Sequence, residues 1–516
     1  MKITYATMSA DDEELQAAYD AAVERVTPDL GADHPLVVDG EERMKPDLFE
    51  ETSPFDREIV VGRYSQADPS DVDDAVAAAR GFAPEWEEVP WEERVALMRK
   101  AADLLEERTF DVAAEMAYEV GKNRLEALGD VAETVVFFRY YAEQMEEHDG
   151  FTIELGRLSD NERNTSVLRP YGVWAVISPF NFPLALAAGG TIGAMLTGNT
   201  VVLKPSNEGA LMGVRLIEVM TEAGLPPGAL HLVTGGDEVG DHLAHHPDVD
   251  GLTFTGSYQV GMYLYNSVRE DRPKPVIAEM GGKNPAIVTT SADLDVAAEG
   301  IARGAFGFSG QKCSATSRVY VERPVYDEFL EKLVAQTKNL VVKNPVERDA
   351  FTGPVINEDA VQRFLDAVEE VRSSGGEILT GGEALDGDGL DRGNFVAPTV
   401  ATAPEESYVW DKELFVPFVV VGPVDSLDEA LTKSNNTPFG LTAGLFAGDE
   451  GEISTFFRDI DAGTTYVNRA AGATTGAWPD IQSFGGWKGS GTSGAGGGGP
   501  WYLRNYLREQ SRTRIG

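Results

Sequence analysis

The sequence predicts an α/β fold in which helices cover both faces of a parallel sheet, and three observations predict it. Short β-rich runs alternate with helical stretches from residue 170 onwards, a pattern typical of parallel sheets. Apolar residues make up 42% of the chain, enough for a packed protein. Because 516 residues are too many for one hydrophobic core, we expect two or three domains.

The alternation begins in an uncharged stretch, residues 170–203. A membrane span is one interpretation, since about 20 apolar residues suffice to cross a bilayer. Pro179 and Pro183 interrupt the stretch, however, and Asn181 and Asn199 make it polar. We therefore expect no membrane span, but a buried strand at 172–178, a buried helix at 184–196 and a second strand at 200–203.

Further elements follow along the chain. A helix is expected at 70–80, where Val72, Ala75, Val76 and Ala79 share a face. Other helices are expected at 209–223, 240–245 and 260–268, and strands at 230–233, 251–254 and 276–278. A second α/β set is predicted after Glu279, with strands at 318–321, 418–421, 441–445 and 465–467.

Two segments differ from this alternation. Residues 151–169 are polar and alternating, which predicts a protruding hairpin. Residues 485–500 are glycine-rich, a composition typical of flexible tails. The aromatic residues in and beyond them indicate instead an ordered, packed end to the chain; they are Trp487, Trp501, Tyr502 and Tyr506.

The charge balance is strongly acidic, with 85 acidic residues against 43 basic ones and a formal net charge of −42. Such a surface repels nucleic acid and anionic membranes, so we expect neither as a partner. The acidic residues are spread along the chain, which favours a role in solvation. Because the screening length falls to about 3 Å in molar salt, we interpret the charge as that of a halophilic protein.

The cysteine count and the first residues bear on the compartment and on metals. One cysteine excludes an internal disulfide and a multi-cysteine metal site. The chain turns acidic before any apolar core appears, so we expect no secretory signal and a cytoplasmic location. His242, His245 and His246 cluster, but Pro247 follows at once, so we interpret them as the basic end of a helix and expect no metal.

Cys313 is the candidate nucleophile. A lone cysteine is most often a small core residue, but Gly310, Gln311 and Lys312 before it are typical of an exposed loop. A nearby cation lowers the pKa of a thiol, so we expect Lys312 to favour the thiolate. A thiolate attacks a carbonyl carbon and leaves again, which divides one hard step into two.

Three polar residues lie at or near the ends of predicted strands. Glu279 ends one strand, Lys204 follows another, and Asn181 lies in the loop after the first. Ligands of α/β proteins bind at the carboxyl ends of parallel strands. Glu279 is therefore a candidate base and the Asn181 amide a candidate donor to an oxyanion. The alternatives are an ordinary surface glutamate and a turn asparagine.

A third candidate feature is the start of a helix at Gly256 and Ser257, where backbone amides are suited to a pyrophosphate. The GxGxxG pattern of Rossmann folds is absent there, so a helix simply capped by Ser257 stays an alternative.

Seven motifs, taken together and in this order, resemble those of the aldehyde dehydrogenase superfamily. Five of them contain the candidate residues described above. The seven motifs are SPFNFP at 178–183, KPS at 204–206, FTGS at 254–257, EMGGKNP at 279–285, GQKCSATSR at 310–318, KELF at 412–415 and NNTPFGLTAG at 435–444. The resemblance spans nearly the whole chain. It implies a Rossmann-type cofactor domain, an α/β catalytic domain, and an oligomerisation arm formed by a β-hairpin and the C-terminus.

The resemblance also implies roles for single residues. Cys313 attacks the aldehyde, Asn181 and the Cys313 backbone amide stabilise the oxyanion, and Glu279 activates the water that hydrolyses the thioester. Lys204 binds the adenosine ribose. The residues implied to bind the cofactor are Ile177, Ser178, Pro179, Phe180, Lys204, Ser206, Asn207, Thr255, Gly256, Ser257, Gly281, Glu413 and Phe415.

NAD is the expected cofactor, with NADP tolerated. In the family a glutamate often stands three residues after the lysine and selects against a 2′-phosphate. Here Asn207 stands at that position, and Glu208 follows it.

Four further pieces narrow the resemblance; they are HPLVVDG at 34–40, GFSGQKCSATSR at 307–318, NRAAGATTG at 468–476 and FGGWKGSGTSGAGGGGPWYL at 484–503. With them the chain looks like the 1-pyrroline-5-carboxylate dehydrogenase branch of the superfamily, which oxidises L-glutamate γ-semialdehyde to L-glutamate. By that resemblance Ser314, Gly472 and Ala473 anchor the substrate carboxylate, and Phe484 packs on its aliphatic chain. Residues 477–483 form a longer segment than the branch usually shows, so another semialdehyde, such as succinate semialdehyde, stays an alternative. A thiol esterase and an inactive structural homologue are alternatives of another class.

The expected division of the chain follows from the same resemblance. Residues 1–150 and 170–279 form the dinucleotide-binding domain, and residues 280–470 form the catalytic domain. Residues 151–169 and 471–516 supply the oligomerisation arm and the C-terminal segment, so we expect a homo-oligomer.

Overall fold

The computed structural model describes residues 12–269, 272–470 and 478–516. Helices α1 to α14 span Glu13–Val26, Pro69–Glu88, Trp91–Glu107, Thr109–Val120, Arg124–Glu147, Ala185–Leu196, Ala210–Ala223, Asp237–His245, Tyr258–Ser267, Leu294–Phe306, Tyr326–Lys338, Glu358–Ser374, Leu427–Asn435 and Glu450–Asp459. Strands β1 to β22 span Ala32–His34, Leu36–Val38, Glu41–Arg43, Leu48–Ser53, Asp56–Ser65, Thr152–Glu154, Glu162–Pro170, Val173–Ser178, Thr200–Pro205, Leu230–Leu232, Gly251–Thr255, Val276–Glu279, Asn284–Val288, Thr316–Glu322, Glu377–Thr380, Thr399–Thr402, Phe418–Val424, Phe439–Gly440, Thr442–Phe446, Thr464–Val467, Trp487–Lys488 and Leu507–Ile515.

The uncharged stretch forms two strands of the first sheet and the helix between them, as predicted. All residues of β9 are buried, as are all residues of α6 except Leu186. Such burial is typical of a parallel sheet that is covered on both faces by helices. The sheet has the order β12-β11-β8-β9-β10-β2-β3. Within the described residues, no helix is both long and apolar enough to cross a membrane.

The direction in which this sheet grows reverses at β8. From β8 the chain adds β9 and β10 on one side, then β11 and β12 on the other, all parallel. The register places Ile177 beside Lys204, and Thr255 beside Glu279. Such a reversal opens a crevice at the carboxyl ends of the strands, so four loops that carry sequence motifs meet at this edge.

A second sheet follows in the order β15-β16-β17-β14-β13-β19-β20, and its strands are parallel except for the edge strand β15. Its central strands β13 and β19 are wholly buried. The loop that carries Cys313 lies between α10 and β14 of this unit.

The segment predicted as a hairpin contributes β6 and β7 to a small antiparallel sheet, and β22 supplies the third strand. β22 pairs along its whole length with β7, from Leu507 opposite Pro170 to Ile515 opposite Glu162. Several apolar side chains of this sheet and of the loop between β6 and β7 are exposed to solvent; these are Ile153, Leu155, Leu158 and Ile515.

Two expectations need correction. The helix predicted at 70–80 extends to Glu88, because Ala83 and Trp86 continue its buried face past Pro84. The aromatic residues near the C-terminus do not all pack: Tyr502 and Tyr506 are buried, but Trp487 and Trp501 are 55% and 56% exposed.

Candidate active site

A cavity of about 120 Å³ lies where the two large sheets face each other. Cys313 and Glu279, the predicted nucleophile and base, both line it, as do the predicted substrate residues Ser314 and Phe484. Its other lining residues are Glu133, Phe137, Tyr141, Phe182, Ala185, Leu186, Gly189, Gly190, Thr253, Thr255, Met280, Lys312, Trp478, Pro479, Gln482, Gly497 and Tyr502. The cavity thus brings the nucleophile and the base to one space.

Glu279 reaches the cavity from the carboxyl end of β12. Its Oε2 accepts a hydrogen bond from the Gly486 N–H at 3.3 Å, and its Oε1 is buried without a hydrogen-bond partner among the described residues. Burial raises the pKa of Glu279 to about 8, and the Gly486 N–H partly opposes this rise in pKa. A carboxyl group with this pKa changes protonation state near neutral pH, as a proton-transfer group must.

Cys313 lies in the loop before β14 of the second sheet, and β13 holds that loop from the side. The Asn284 side chain Nδ2 donates to the Cys313 carbonyl at 2.7 Å and to the Ala315 carbonyl at 3.0 Å. Cys313 and Glu279 thus reach the same cavity from different sheets, and the hydrogen bonds of the Asn284 side chain fix the Cys313 loop.

The beginning of this loop has an unfavourable backbone that its neighbours stabilise. Phe308 and Ser309 have φ angles of 48° and 52°, in the left-handed region that non-glycine residues avoid. The Ser309 N–H donates to Thr352 Oγ1 at 2.7 Å, and its hydroxyl donates to the Gly353 carbonyl at 2.6 Å. Such a conformation persists where the surroundings over-determine it, which is common at active sites.

The expectation that Lys312 favours a thiolate at Cys313 is wrong. The Lys312 ammonium is buried and lies 2.6 Å from the Glu126 carboxylate, so its charge is already paired. Burial raises the pKa of the Cys313 thiol to about 12, and the carboxylates of Glu413 and Glu279 add to this rise in pKa. In this state of the protein Cys313 is a neutral thiol, in a wall that is partly buried instead of an exposed loop.

Helix α5 lines the cavity with residues that our sequence reasoning missed. Glu133, Phe137 and Tyr141 follow each other at a spacing of four residues, so they lie on one face, and all three line the cavity. Glu126, about two turns before Glu133 in the same helix, pairs with Lys312. The signal was present in the sequence: acidic and aromatic residues share one helical stripe.

A buried ion pair stabilises the wall behind Phe182. Lys122 Nζ lies 2.7 Å from Asp130 Oδ2, and both side chains are completely buried. Asp130 Oδ1 also accepts a hydrogen bond from the Ala185 N–H at 2.8 Å. The Lys122 ammonium lies 3.7 Å from the centre of the Phe182 ring, within the range of a cation–π contact. These contacts fix the start of α6, whose next turns line the cavity.

The predicted cofactor residues around β8 and β9 lie together at the carboxyl edge of the first sheet. The Ser206 N–H donates to the Ser178 carbonyl at 2.9 Å. Ser178 Oγ and Asn207 Oδ1 are buried and lack hydrogen-bond partners among the described residues. Burial lowers the pKa of Lys204 to about 8. Polar groups buried in this way are suited to a polar ligand that completes their hydrogen bonds.

At the next strand end, Thr255 lies beside Glu279 and the helix α9 begins. The Gly256 N–H donates to the Glu279 carbonyl at 3.1 Å, and Ser257 caps α9 by accepting from the Val260 N–H at 3.3 Å. The Ser257 cap satisfies the N–H group of Val260, but the first turn of a helix has other N–H groups without partners in the helix. An anion site at the start of α9 is therefore compatible with the cap.

The last two predicted cofactor residues, Glu413 and Phe415, come from the second sheet. Glu413 Oε1 accepts a hydrogen bond from the Gly282 N–H at 3.0 Å. The Glu413 carboxylate occupies the space that a Cβ on Gly281 would need, so a glycine is required there. The Phe415 ring lies 6.0 Å from the Phe180 ring and nearly perpendicular to it, which joins the loops of the two sheets.

Asn181 is buried in the loop after β8, next to Phe182 of the cavity wall. Its role as oxyanion donor stays a prediction. Gly472 and Ala473, the predicted carboxylate anchors, lie outside the described residues. So does part of the segment 477–483, but its residues Trp478, Pro479 and Gln482 line the cavity.

The histidine cluster lies at the C-terminal end of α8, away from this cavity. His242 and His246 both face Asp73, at 2.6 Å and 3.5 Å. Across the part of the chain that the structure describes, no group of three or more histidine, cysteine or acidic residues is arranged to hold a metal ion.

Comparison with known proteins places these features in a family. Residues 41–511 match the model of the aldehyde dehydrogenase family, and the chain belongs to this family. Its fold, with two α/β sheets and a small antiparallel sheet, is the fold of that family.

The chain is similar over nearly its full length to several named members. A protein of Halalkalibacterium halodurans named 1-pyrroline-5-carboxylate dehydrogenase 1 is 39% identical over 510 residues, 96% of each chain. The crystal structure of a Thermus 1-pyrroline-5-carboxylate dehydrogenase with bound NAD has a TM-score of 0.93 at 34% identity and covers 98% of this chain and 97% of its own. A Staphylococcus aureus betaine aldehyde dehydrogenase in complex with NAD⁺ has a TM-score of 0.90 at 27% identity, over 96% of this chain and 97% of its own.

Proposed function

We propose that this protein oxidises L-glutamate γ-semialdehyde to L-glutamate with NAD as hydride acceptor. The observation that carries the proposal is the cavity that Cys313 and Glu279 share. The names of the more similar relatives support the glutamate semialdehyde, whereas the fold alone is shared with a betaine aldehyde dehydrogenase.

The proposed reaction begins with attack of the Cys313 sulfur on the aldehyde carbon. The Cys313 backbone amide and the Asn181 amide stabilise the oxyanion of the thiohemiacetal, a type of contact worth roughly 10²–10³ in rate. Because the thiol has a raised pKa, it must lose its proton as the bond forms. Water takes up that proton, which leaves the Glu279 carboxylate in the same cavity available for the second half of the reaction.

The second half of the reaction removes the acyl group from Cys313. Oxidation of the thiohemiacetal transfers a hydride to NAD and leaves a thioester. Glu279 then takes a proton from the attacking water, as a buried carboxylate with a pKa of about 8 can do. Hydrolysis releases the carboxylate product and restores the thiol.

NAD fits the residues at the carboxyl edge of the first sheet. We propose that Lys204 and Ser206 bind the adenosine ribose, and that Gly256 and Ser257 bind the pyrophosphate at the start of α9. Glu413 and Phe415 are proposed to contact the nicotinamide ribose. The unsatisfied Ser178 and Asn207 side-chain oxygens support this fit, since a bound dinucleotide supplies the hydroxyl donors that they lack.

The chemistry of the cavity also favours an amino acid semialdehyde over succinate semialdehyde. Glutamate γ-semialdehyde carries an ammonium group, and the Glu133 carboxylate of α5 lines the cavity with the rings of Phe137 and Phe484. Glu133 is suited to the ammonium group, and the rings to the aliphatic chain. Ser314 is proposed to contact the substrate carboxylate, together with Gly472 and Ala473.

Steady-state kinetics of the wild-type protein and of Glu133→Gln with both semialdehydes test this assignment. We expect the wild-type kcat/KM to be higher for L-glutamate γ-semialdehyde. The variant should lose at least tenfold with this substrate and little with succinate semialdehyde, which has no ammonium group. Equal losses with both substrates, or a wild-type preference for succinate semialdehyde, would contradict the assignment.

Finally, we propose that β6, β7 and β22 form an arm between copies of the chain in a homo-oligomer. The exposed apolar side chains of this sheet and of the loop that joins β6 to β7, such as Leu158 at 95% exposure, support the proposal. Sedimentation analysis of the wild type and of Leu158→Glu tests it. A wild-type monomer at micromolar concentration would contradict it.

A further inference from the structure

The chain forms a tight turn from Trp478 to Gln482. The Trp478 N–H donates to the Gln482 carbonyl at 3.3 Å, and the Gln482 N–H donates back to the Trp478 carbonyl at 3.0 Å. The Ile481 N–H donates to the same Trp478 carbonyl at 2.9 Å. The turn is therefore closed by its own backbone.

Neighbouring segments hold the turn on two sides. The Gln482 side chain Nε2 donates to the Thr465 carbonyl of β20 at 2.8 Å, and the Asp480 N–H donates to the Gly498 carbonyl at 3.1 Å. Pro479 packs so closely on Gly498 that a Cβ there would lie 3.0 Å from the Pro479 Cα. Movement of the turn would break these contacts, so it forms a fixed surface.

The turn presents different side chains to the cavity and to solvent. Trp478, Pro479 and Gln482 line the cavity that contains Cys313, and Trp478 is 3% exposed. Ile481 is 59% exposed, on the outer side of the turn. The largest of the natural side chains thus occupies the inner face of this turn, although the proposed reaction does not use it.

We infer that Trp478 is a specificity-determining residue, and that the turn 478–482 is a wall that limits the size of the aldehyde that reaches Cys313. The inference rests on the proposed function, because it takes this cavity as the aldehyde site. The packed surroundings cannot expand for a larger substrate without cost. The wall therefore favours an aldehyde of the length of glutamate γ-semialdehyde and excludes longer chains.

The test compares wild type, Trp478→Ala and Trp478→Phe with L-glutamate γ-semialdehyde and with linear aldehydes from butanal to octanal. In Trp478→Ala, we expect the ratio of kcat/KM for octanal to that for butanal to rise by about tenfold or more, since one group of apolar bulk in a pocket is worth roughly 10–200-fold. Trp478→Phe should give a smaller rise. The increase should appear mainly as a lower KM for octanal.

Trp487→Ala is the matched control, because Trp487 is 55% exposed and does not line the cavity. Its length profile, which is the dependence of kcat/KM on the chain length of the aldehyde, should equal that of the wild type. If Trp478→Ala fails to fold, which loss of NAD binding by calorimetry would reveal, Trp478→Phe and Gln482→Ala carry the test.

The outcomes separate this inference from the proposed function. A length profile unchanged within twofold in the Trp478 variants overturns the inference. If the profile shifts but the wild type does not prefer the glutamate semialdehyde, the wall is supported and the proposed substrate is wrong. If the wild type oxidises no aldehyde, the proposed function fails, and the inference fails with it.

Discussion

At the carboxyl edge of the first sheet, strand register alone places Lys204, Thr255 and Glu279, whereas Cys313 owes its position to side chains from other elements. Ile177 pairs with Lys204 and Thr255 with Glu279 through regular parallel ladders. The Cys313 loop depends instead on Asn284, and on the pairing of Lys312 with Glu126. The edge is a consequence of secondary structure, and the loop is a consequence of tertiary contacts.

This difference predicts how the two regions respond to substitution. A residue at the edge projects from a scaffold that does not depend on it, so its replacement should remove one chemical role and leave its neighbours in place. A residue that holds the loop should affect both stability and chemistry. The predictions below test this contrast, from the largest expected effect to the smallest.

The largest effect is expected for Cys313→Ala. Loss of the nucleophile should reduce both dehydrogenase and esterase turnover by about 10⁴-fold or more, and calorimetry should show that NAD still binds with unchanged affinity. Most of the predicted cofactor residues belong to the edge of the first sheet, which the thiol does not stabilise. Esterase activity that survives the substitution would contradict the role of Cys313.

Glu279→Gln is expected to separate acylation from deacylation. The variant should give a burst of one NADH per active site, followed by turnover about 10²-fold slower than in the wild type. A linear progress curve without a burst would show that Glu279 acts earlier, in activating the thiol.

The pH profile provides the control for this variant. Burial raises the pKa of Glu279 to about 8, and the carboxylate is the form that accepts a proton. Deacylation by the wild type should therefore increase as the pH rises through this pKa, reach half of its maximum at about pH 8 and level off only above it. The slow rate of Glu279→Gln should lack this increase, because glutamine does not titrate.

The third prediction concerns the loop. Lys312→Met leaves the Glu126 carboxylate buried without its cation, which typically costs about 3–5 kcal/mol. Thermal unfolding should show this loss, and kcat should fall as well because Cys313 shifts. The double variant Lys312→Met/Glu126→Gln should recover much of the stability. Full stability in the single variant would mean that other contacts suffice to hold the loop.

The same contrast explains what could be predicted from the sequence. β8, α6 and β9 could be predicted because a long stretch without charged residues indicates burial. Cys313 and Glu279 were predicted from the motifs, and both line the same cavity. The loop was misjudged because Lys312 and Glu126 are far apart in sequence, and no local pattern shows that the pair forms. The pKa of Cys313 was misjudged for the same reason, since burial depends on the packing of distant segments.

Cofactor choice gives a smaller effect, just beyond the regular edge. Glu208 accepts a hydrogen bond from Ser206 at 2.7 Å, so its charge lies close to the proposed ribose site and repels a 2′-phosphate. Glu208→Gln should raise kcat/KM with NADP by about five- to tenfold, as expected for about 1 kcal/mol of repulsion at a partly solvated site. The matched variant Asn207→Glu should lower it. If neither variant changes the ratio of NAD to NADP use, this position does not select the cofactor.

The smallest effect is expected for salt on the stability contributed by the buried pair of Lys312 and Glu126. This small effect is informative because the unfolding temperature of the whole protein should depend strongly on salt. If the net charge of −42 reflects adaptation to salt, molar KCl should raise the unfolding temperature of the wild type by screening repulsion among surface carboxylates. Lys312 and Glu126 lie mostly out of reach of solvent ions, with 4% and 15% of their side chains exposed. The difference in stability between the wild type and Lys312→Met should therefore stay nearly constant from low salt to molar KCl. A wild-type stability that does not depend on salt would contradict the halophilic interpretation, and a difference that shrinks with salt would mean that solvent reaches the loop.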